Sequence, residues 1–354
     1  MSFILHVNAR RWRSHLSEHA AALGDVVPVA KGNGYGVGNR RLAIEAARLG
    51  ADTIAVGLPT EVTEVAGPFP GFILVMTPWD GRGDDVEQVS GARAIRTVAH
   101  LDVLTRLAED ARTGAHRPAV VVELMTSVRR HGLSPAELAG LDRALLEAVD
   151  LRGWALHLPL DRPAGGDPVA EVRAWLARLS RAGLPVPAVW VSHLRVEELA
   201  GLRTGHPGLR LRTRVGTGLW LGEPDALRAT GTVLDTHRLA AGDRFGYRQQ
   251  RAHRAGQLVV VSGGTAHGVG LEAPKAVRGP LARARELARG TLSSAGLSLS
   301  PFSWAGRSLW FAEPPHMQLS LLWLPARVSP PARGTELDCR VRHTTIHPDA
   351  VRIE

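Results

Sequence analysis

Of the 43 Lys and Arg residues in this 354-residue chain, only Lys31 and Lys275 are lysines; the other 41 are arginines. A lysine kept in such a chain is a candidate for chemistry that a guanidinium cannot do, such as nucleophilic attack or proton transfer by a neutral amine. Lys31 closes the apolar run VVPVA and opens KGNGYGVG, where four glycines fall within the seven residues after it. Glycines at that density let the backbone turn tightly and approach a ligand closely, and Tyr35 brings a hydroxyl into the same turn. Lys275, in LEAPKAVRGP, reads as a solvated loop lysine, with a place in a binding site as the alternative.

Lys31 needs a scaffold, and the first 230 residues describe one. Apolar β-rich runs recur at VVPVA (26–30), TIAVGL (53–58), FILVM (72–76), ARAIRTV (92–98), AVVVELM (119–125), LRGWALHL (151–158), AVWVSHL (188–194) and LRLRTRV (209–215). Most are followed by a stretch of helical period, as in NRRLAIEAARLG after the first and DPVAEVRAWLARLSRAG after the sixth. Strands apolar throughout are the mark of parallel sheets covered on both faces. Eight evenly spaced βα units predict an α/β fold closed as a TIM (β/α)8 barrel, with an open doubly wound sheet as the alternative. Lys31 then stands at the carboxyl end of the first strand, the face where barrel enzymes gather their chemistry.

After about residue 230 the pattern changes to β-like runs between Gly, Pro and polar turns, with one helical period at 279–290. This predicts a smaller, mostly-β second domain. The net charge of +9 is spread along the chain among Asp and Glu, with no aromatic-interleaved basic run, so nucleic acid is not the expected partner. The arginine excess reads instead as a compositional bias. No apolar run is long enough for a membrane span, the start lacks the apolar core of a signal peptide, and the expected location is cytoplasmic. One cysteine, Cys339, excludes an intrachain disulfide framework and a multi-cysteine metal site, and no metal is expected.

AKGNGYGVG resembles the pyridoxal-phosphate lysine motif of the alanine racemase family, A-V-V-K-A-x-A-Y-G-H-G. The likeness continues in order along the chain. HVNARRWRSHL is similar to the family's opening segment, which joins the β domain before entering the barrel. The resemblance therefore implies a barrel over 11–228 and a β domain of 1–10 plus 229–354. It also implies pyridoxal 5'-phosphate as cofactor, an amino acid as substrate, and a homodimer whose active sites combine a barrel with the partner's β domain. D-Alanine supply for peptidoglycan is the family's usual context.

By the same resemblance Lys31 holds the cofactor covalently and serves as base on one face of the substrate, and Tyr35 hydrogen-bonds the phosphate. In VVVELMTSVRRHGL, Arg130 falls on the arginine that approaches the ring hydroxyl, and Glu123 falls where the family often has a carbamylated lysine. LRGWALHLP places His157 behind a later arginine, and VWVSHL puts Ser192 and His193 near the phosphate. RTRVGTGLWLGEP places Arg214 at the pyridine nitrogen and the amides of Gly216 and Thr217 at the phosphate.

The second half departs from the family. The base on the other face is a family tyrosine in I-G-Y-A-D-G, supplied by the partner subunit; here SGGTAHG puts Thr265 in its place and His267 on the aspartate. PHMQ (315–318) replaces C-M-D-Q, so Met317 stands for an aspartate, and Thr335 replaces another site tyrosine. The chain has only two tyrosines, Tyr35 and Tyr247, and Tyr247 falls on a family tyrosine that is not the base. The expected activity is a PLP-dependent amino-acid racemase with an altered second base, His267 being the nearest candidate. Different, one-sided chemistry or cofactor binding without catalysis, acting through partner proteins, is the alternative.

Overall fold

The computed structural model describes residues 2–82, 90–114, 117–162, 166–271, 279 and 298–354. Lys275 and, apart from Gly279, the helical period at 279–290 lie outside the described residues. The chain forms two compact units, Arg13–Gly222 and Met1–Trp12 with Glu223–Glu354. The opening strand, β1 (Phe3–Val7), belongs to the second of these.

The first unit carries β2 (Val26–Pro28), β3 (Thr53–Val56), β4 (Phe72–Pro78), β5 (Ala94–Val98), β6 (Ala119–Leu124), β7 (Asp150–Leu156), β8 (Val189–Ser192) and β9 (Leu211–Val215). All are parallel, in the order β2-β9-β8-β7-β6-β5-β4-β3. The ring closes where Val29 bridges Ala55 and the Ala30 N–H donates to the Ala55 carbonyl at 2.8 Å. The apolar runs are two-faced, as the barrel requires. In β6, Val120, Val122 and Leu124 pack outward with helix residues such as Leu104, Leu145 and Trp175, while Val121 packs inward with Val29, Leu74 and Trp190. The stretch after β6 forms two short helices: Pro135–Ala139, capped by Ser134, stops at Gly140, and Asp142 caps a new start at Arg143–Ala148.

The barrel floor is built from charge. Arg212 is 4% exposed, lies over the Trp190 ring at 4.3 Å, and bonds Asp25 at 3.2 Å, the Thr53 hydroxyl at 3.2 Å and the Asp52 carboxylate. Arg210 bridges the same two aspartates at 2.8 Å each.

The second unit is mostly antiparallel. β10 (Leu227–Leu239) pairs with β1, with β13 (Gly256–Ser262) and with β17 (Glu336–Cys339), and β11 (Arg244–Phe245) pairs with β12 (Gln250–Arg251) in a separate ribbon. The sheet continues from β13 through β16 (Leu319–Pro325), β15 (Arg307–Phe311) and β14 (Leu299–Trp304) back to β17, while β18 (Ala350–Ile353) lies parallel to β1. Phe3, Val233, Val259, Phe302 and Leu337 fill its core. The described residues contain no helix long and apolar enough to cross a membrane, and no group of three metal-ligating side chains.

Candidate active site at the barrel mouth

Side chains alternate along a strand, so a residue two beyond an inward one also points inward. Val29 and Val121 are inward, as are Ala155, Trp190 and Arg212. Two residues further on stand Lys31, Glu123, His157, Ser192 and Arg214. Period-two geometry therefore delivers five chemical side chains from five strands to the lumen at its carboxyl end. Cα register fixes their level: Ser192 pairs with Arg214, and Arg214 with Val27.

Lys31 is solvent-accessible at this mouth, beside Gly57, where an added Cβ would lie 3.2 Å from the lysine Cβ. Partial burial at the rim lowers its pKa; Arg130 and Arg214 push the same way and Glu61 pushes back. The turn behind it is held by two residues that motif reading passed over. Glu61, buried, accepts from the Gly32 N–H at 2.6 Å, the Gly57 N–H at 2.7 Å and the Leu58 N–H at 3.0 Å. Asn39, also buried, donates to the Gly32 carbonyl at 3.1 Å. The only local sign of Glu61 was an acid in TEVTEV after a strand, which ordinary helix starts also show.

Tyr35 is buried in the left-handed backbone region, φ 55°. Burial raises its hydroxyl to a pKa of about 12, against the opposing hydrogen bond with Thr217. A Cβ at Gly216 would overlap that hydroxyl, so glycine is required there. Gly216 opens the short helix Thr217–Trp220, whose Trp220 indole donates to the Val29 carbonyl at 2.8 Å.

Glu123 is 2% exposed, and burial raises its pKa against the pull of Arg214, Arg130 and His131. Arg130, half-exposed, reaches Glu123 at 4.0 Å. The loop carrying it is clamped onto β6: the Leu133 N–H donates to the Glu123 carbonyl, and a Cβ at Gly132 would strike the Leu124 backbone. Arg214 is 6% exposed, and burial, opposed by Glu123, lowers its pKa. It donates to the Leu156 carbonyl at 3.2 Å and, more weakly, to the Trp190 carbonyl at 3.5 Å; its Nε is buried with no hydrogen-bond partner. His157 shares a 3.3 Å hydrogen bond between Nδ1 and the Ser192 hydroxyl, and burial, then Arg214 and Arg130, push its pKa down to about 3. His193, with φ 59°, packs edge-on against it at 5.1 Å, and burial lowers its pKa as well. Both imidazoles are thus held neutral.

The mouth thus unites Lys31, Tyr35, Glu123, Arg130, His157, Ser192, Arg214, Gly216 and Thr217. Thr265, His267 and Met317 belong to the other unit. Thr265 opens a single turn, Thr265–His267, and its N–H donates to the His316 carbonyl at 2.8 Å. Met317 is exposed, and Thr335 gives its carbonyl to the Val233 N–H. His267 is 4% exposed; its Nδ1 accepts from the Gly264 N–H at 3.1 Å, and its Nε2 bonds Asp349 at 3.1 Å. With both nitrogens used inside the fold, its geometry does not support the expected role as a base.

The fold and the mouth define a barrel protein with a lysine-centred, arginine-backed site and a separate β unit. The family model described as alanine racemase, N-terminal domain, matches residues 5–193, and the chain belongs to that family. The fold matches alanine racemase from Bartonella henselae with covalently bound pyridoxal phosphate, at TM-score 0.75 and 16% identity over 100% of this chain and 99% of that one. It also matches alanine racemase from D-cycloserine-producing Streptomyces lavendulae, at TM-score 0.72 and 17% identity over 100% and 97% of the two chains. The Bacillus anthracis enzyme with bound L-Ala-P follows at TM-score 0.70 and 17% identity over 96% and 86%. No curated protein matches the chain.

Proposed function

We propose that this protein is a pyridoxal-phosphate-dependent amino-acid racemase of the alanine racemase family, acting as a homodimer in which one copy's β unit completes the other's site. The observation that carries this is the unpaired, buried Nε of Arg214 at the mouth that also holds Lys31. An orphaned charged donor is expensive unless a ligand takes it, and an acceptor nitrogen on an aromatic ring suits it. The cofactor fits the remaining residues. Lys31 has a lowered pKa and is accessible for covalent attachment, while Tyr35, Thr217 and the Gly216 amide converge where a phosphate would lie.

When bound, pyridoxal phosphate acidifies the substrate Cα–H by delocalising its electrons. The chain's residues do the rest. Arg214 would hold the cofactor's ring nitrogen, and a guanidinium there would disfavour a proton on that nitrogen and keep the electron sink weak. Arg130, 4.0 Å from Glu123, would offer positive charge to the bound cofactor, with Glu123 balancing it. Lys31 would hold the cofactor covalently and would supply an amine as base on one face of the substrate. Ser192 positions His157, whose neutral ring leaves the guanidinium charge of Arg214 uncontested.

The test joins spectrum and stereochemistry. Wild type reconstituted with pyridoxal phosphate should be yellow and should interconvert alanine enantiomers, followed by chiral analysis. Lys31→Ala should lose both the covalent absorbance and the activity. Absorbance that survives in Lys31→Ala would refute the site. Cα exchange in deuterated water without inversion would instead support the one-sided reading, which the absence of any tyrosine beyond Tyr35 and Tyr247 favours.

A further inference from the structure

The barrel ring is thinnest beside Lys31. Among the described residues β2 and β3 meet through one bridge, Val29 to Ala55, and the hydrogen bond from the Ala30 N–H to the Ala55 carbonyl, whereas the other neighbours in the ring share ladders. Lys31 stands immediately past that seam.

Glu61, at the end of the single turn Pro59–Glu61, staples the seam above the bridge. One carboxylate oxygen accepts from the Gly32 N–H at 2.6 Å, just past β2. The other accepts from the Gly57 and Leu58 N–H groups at 2.7 and 3.0 Å, just past β3. Gly32, with φ 58°, is held from its other side by Asn39, and the Gly57 carbonyl accepts from the Thr77 hydroxyl at 2.6 Å. The packing leaves little slack: a Cβ on Gly57 would lie 3.1 Å from the Glu61 carboxylate and 3.2 Å from the Lys31 Cβ. Glu61 is 8% exposed, so water screens its charge less than it would at the surface.

The surroundings give that charge a use. Lys31 is faced by Arg130 on the loop after β6, by Arg214 on β9, and by His157 and His193 after β7 and β8. Burial and the two arginines favour loss of its proton, and Glu61 opposes them. Tyr35, in the same turn, is held neutral by burial, and Glu123 is engaged with Arg214 and Arg130. An amine that takes a proton from a substrate and later gives one back needs an affinity suited to both directions.

We propose that Glu61 is the positioning residue of Lys31: its carboxylate fixes the lysine's backbone across the barrel seam, and its charge keeps the amine able to return a proton. What the amine is for rests on the racemase reading above. Over a cycle Nζ gains one proton and gives one up, while Glu61 keeps its amide partners throughout.

Two readouts test this. Lys31 of the cofactor-free protein is labelled with trace acetic anhydride across a pH series, and peptide mass gives the midpoint at which its amine becomes reactive. Covalent attachment of added pyridoxal phosphate is followed by absorbance, at a pH above every midpoint. Glu61→Gln should move the labelling midpoint to lower pH, yet slow attachment by at least about tenfold. The direction is decisive, because a seam merely loosened exposes the lysine to water and moves the midpoint up. Glu61→Asp keeps the charge and loses the reach, so its midpoint should stay in place while attachment slows. Thr77→Val removes an uncharged restraint on Gly57 and should match wild type in midpoint. A midpoint unmoved or raised in Glu61→Gln overturns the proposal, and so does attachment at the wild-type rate in either Glu61 variant. If Glu61→Gln does not unfold cooperatively, the attachment rate of Glu61→Asp decides alone. A wild type that forms no covalent absorbance would sink the racemase reading and this one together; variants that match an absorbing wild type would sink this one only.

Discussion

Arg212 and Arg214 stand two residues apart on β9, point into the same lumen and are both nearly inaccessible, yet they are treated oppositely. On the floor, Arg212 has two aspartates, a threonine hydroxyl and a tryptophan face. At the mouth, Arg214 has two backbone carbonyls, the field of a buried glutamate and an unpaired Nε. A fully partnered buried charge resists removal, whereas an under-partnered one is held for something else. The floor spends its polar groups on the fold and the mouth keeps its own available.

Breaking the floor should have the largest effect. Arg212→Met leaves Asp25 and Asp52 with Arg210 alone, removes the donor to the Thr53 hydroxyl and the guanidinium over Trp190, and should destabilise by about 2–4 kcal/mol in denaturant unfolding. Gly216→Ala tests steric closeness at the mouth. The new methyl meets the Tyr35 hydroxyl and should destabilise by about 1–3 kcal/mol, and Tyr35→Phe/Gly216→Ala should recover part of that. His157 gives a pH test. Its folded pKa of about 3 lies below the ordinary 6.5, so the unfolded chain binds more protons in that window and stability is lost as pH falls below 6.5. His157→Gln should remove about 1.5 kcal/mol of that loss between pH 6.5 and pH 5, measured as a flatter stability slope than wild type.

The smallest effect sharpens the comparison most. Arg214→Met/Glu123→Gln removes both buried charges together and should unfold within about 1 kcal/mol of wild type, or be more stable, while failing to retain pyridoxal phosphate. A destabilisation as large as that of Arg212→Met would show that the mouth is structural in the same sense as the floor.

Much of the barrel was legible because its signals are local and repeated. The eight apolar runs coincide with the eight barrel strands, and Lys31, Glu123, His157, Ser192 and Arg214 stand at or just past their ends, where alternation alone sends them inward. Glu61 and Asn39 were not legible, because each acts on backbone groups of other segments and carries no motif. The β unit was harder. β14 is interrupted by Pro301, and the four-residue β18 is defined by pairing with β1 some 345 residues earlier, a contact no local pattern announces. His267 stood out because it fills a motif position in a Gly-rich loop, but burial and the bond to Asp349 give it a structural use.

The sequence by itself determined the parallel barrel, the strand-end lysine among glycines, and the lack of any tyrosine to spare for a second base. These follow from period, composition and count, which need no knowledge of where the chain returns. Only the tertiary structure decided which buried arginine is satisfied and that both nitrogens of His267 are used inside the fold. Hydrogen-bond satisfaction is settled by groups far apart in sequence, so two arginines two residues apart become different chemical objects only after folding.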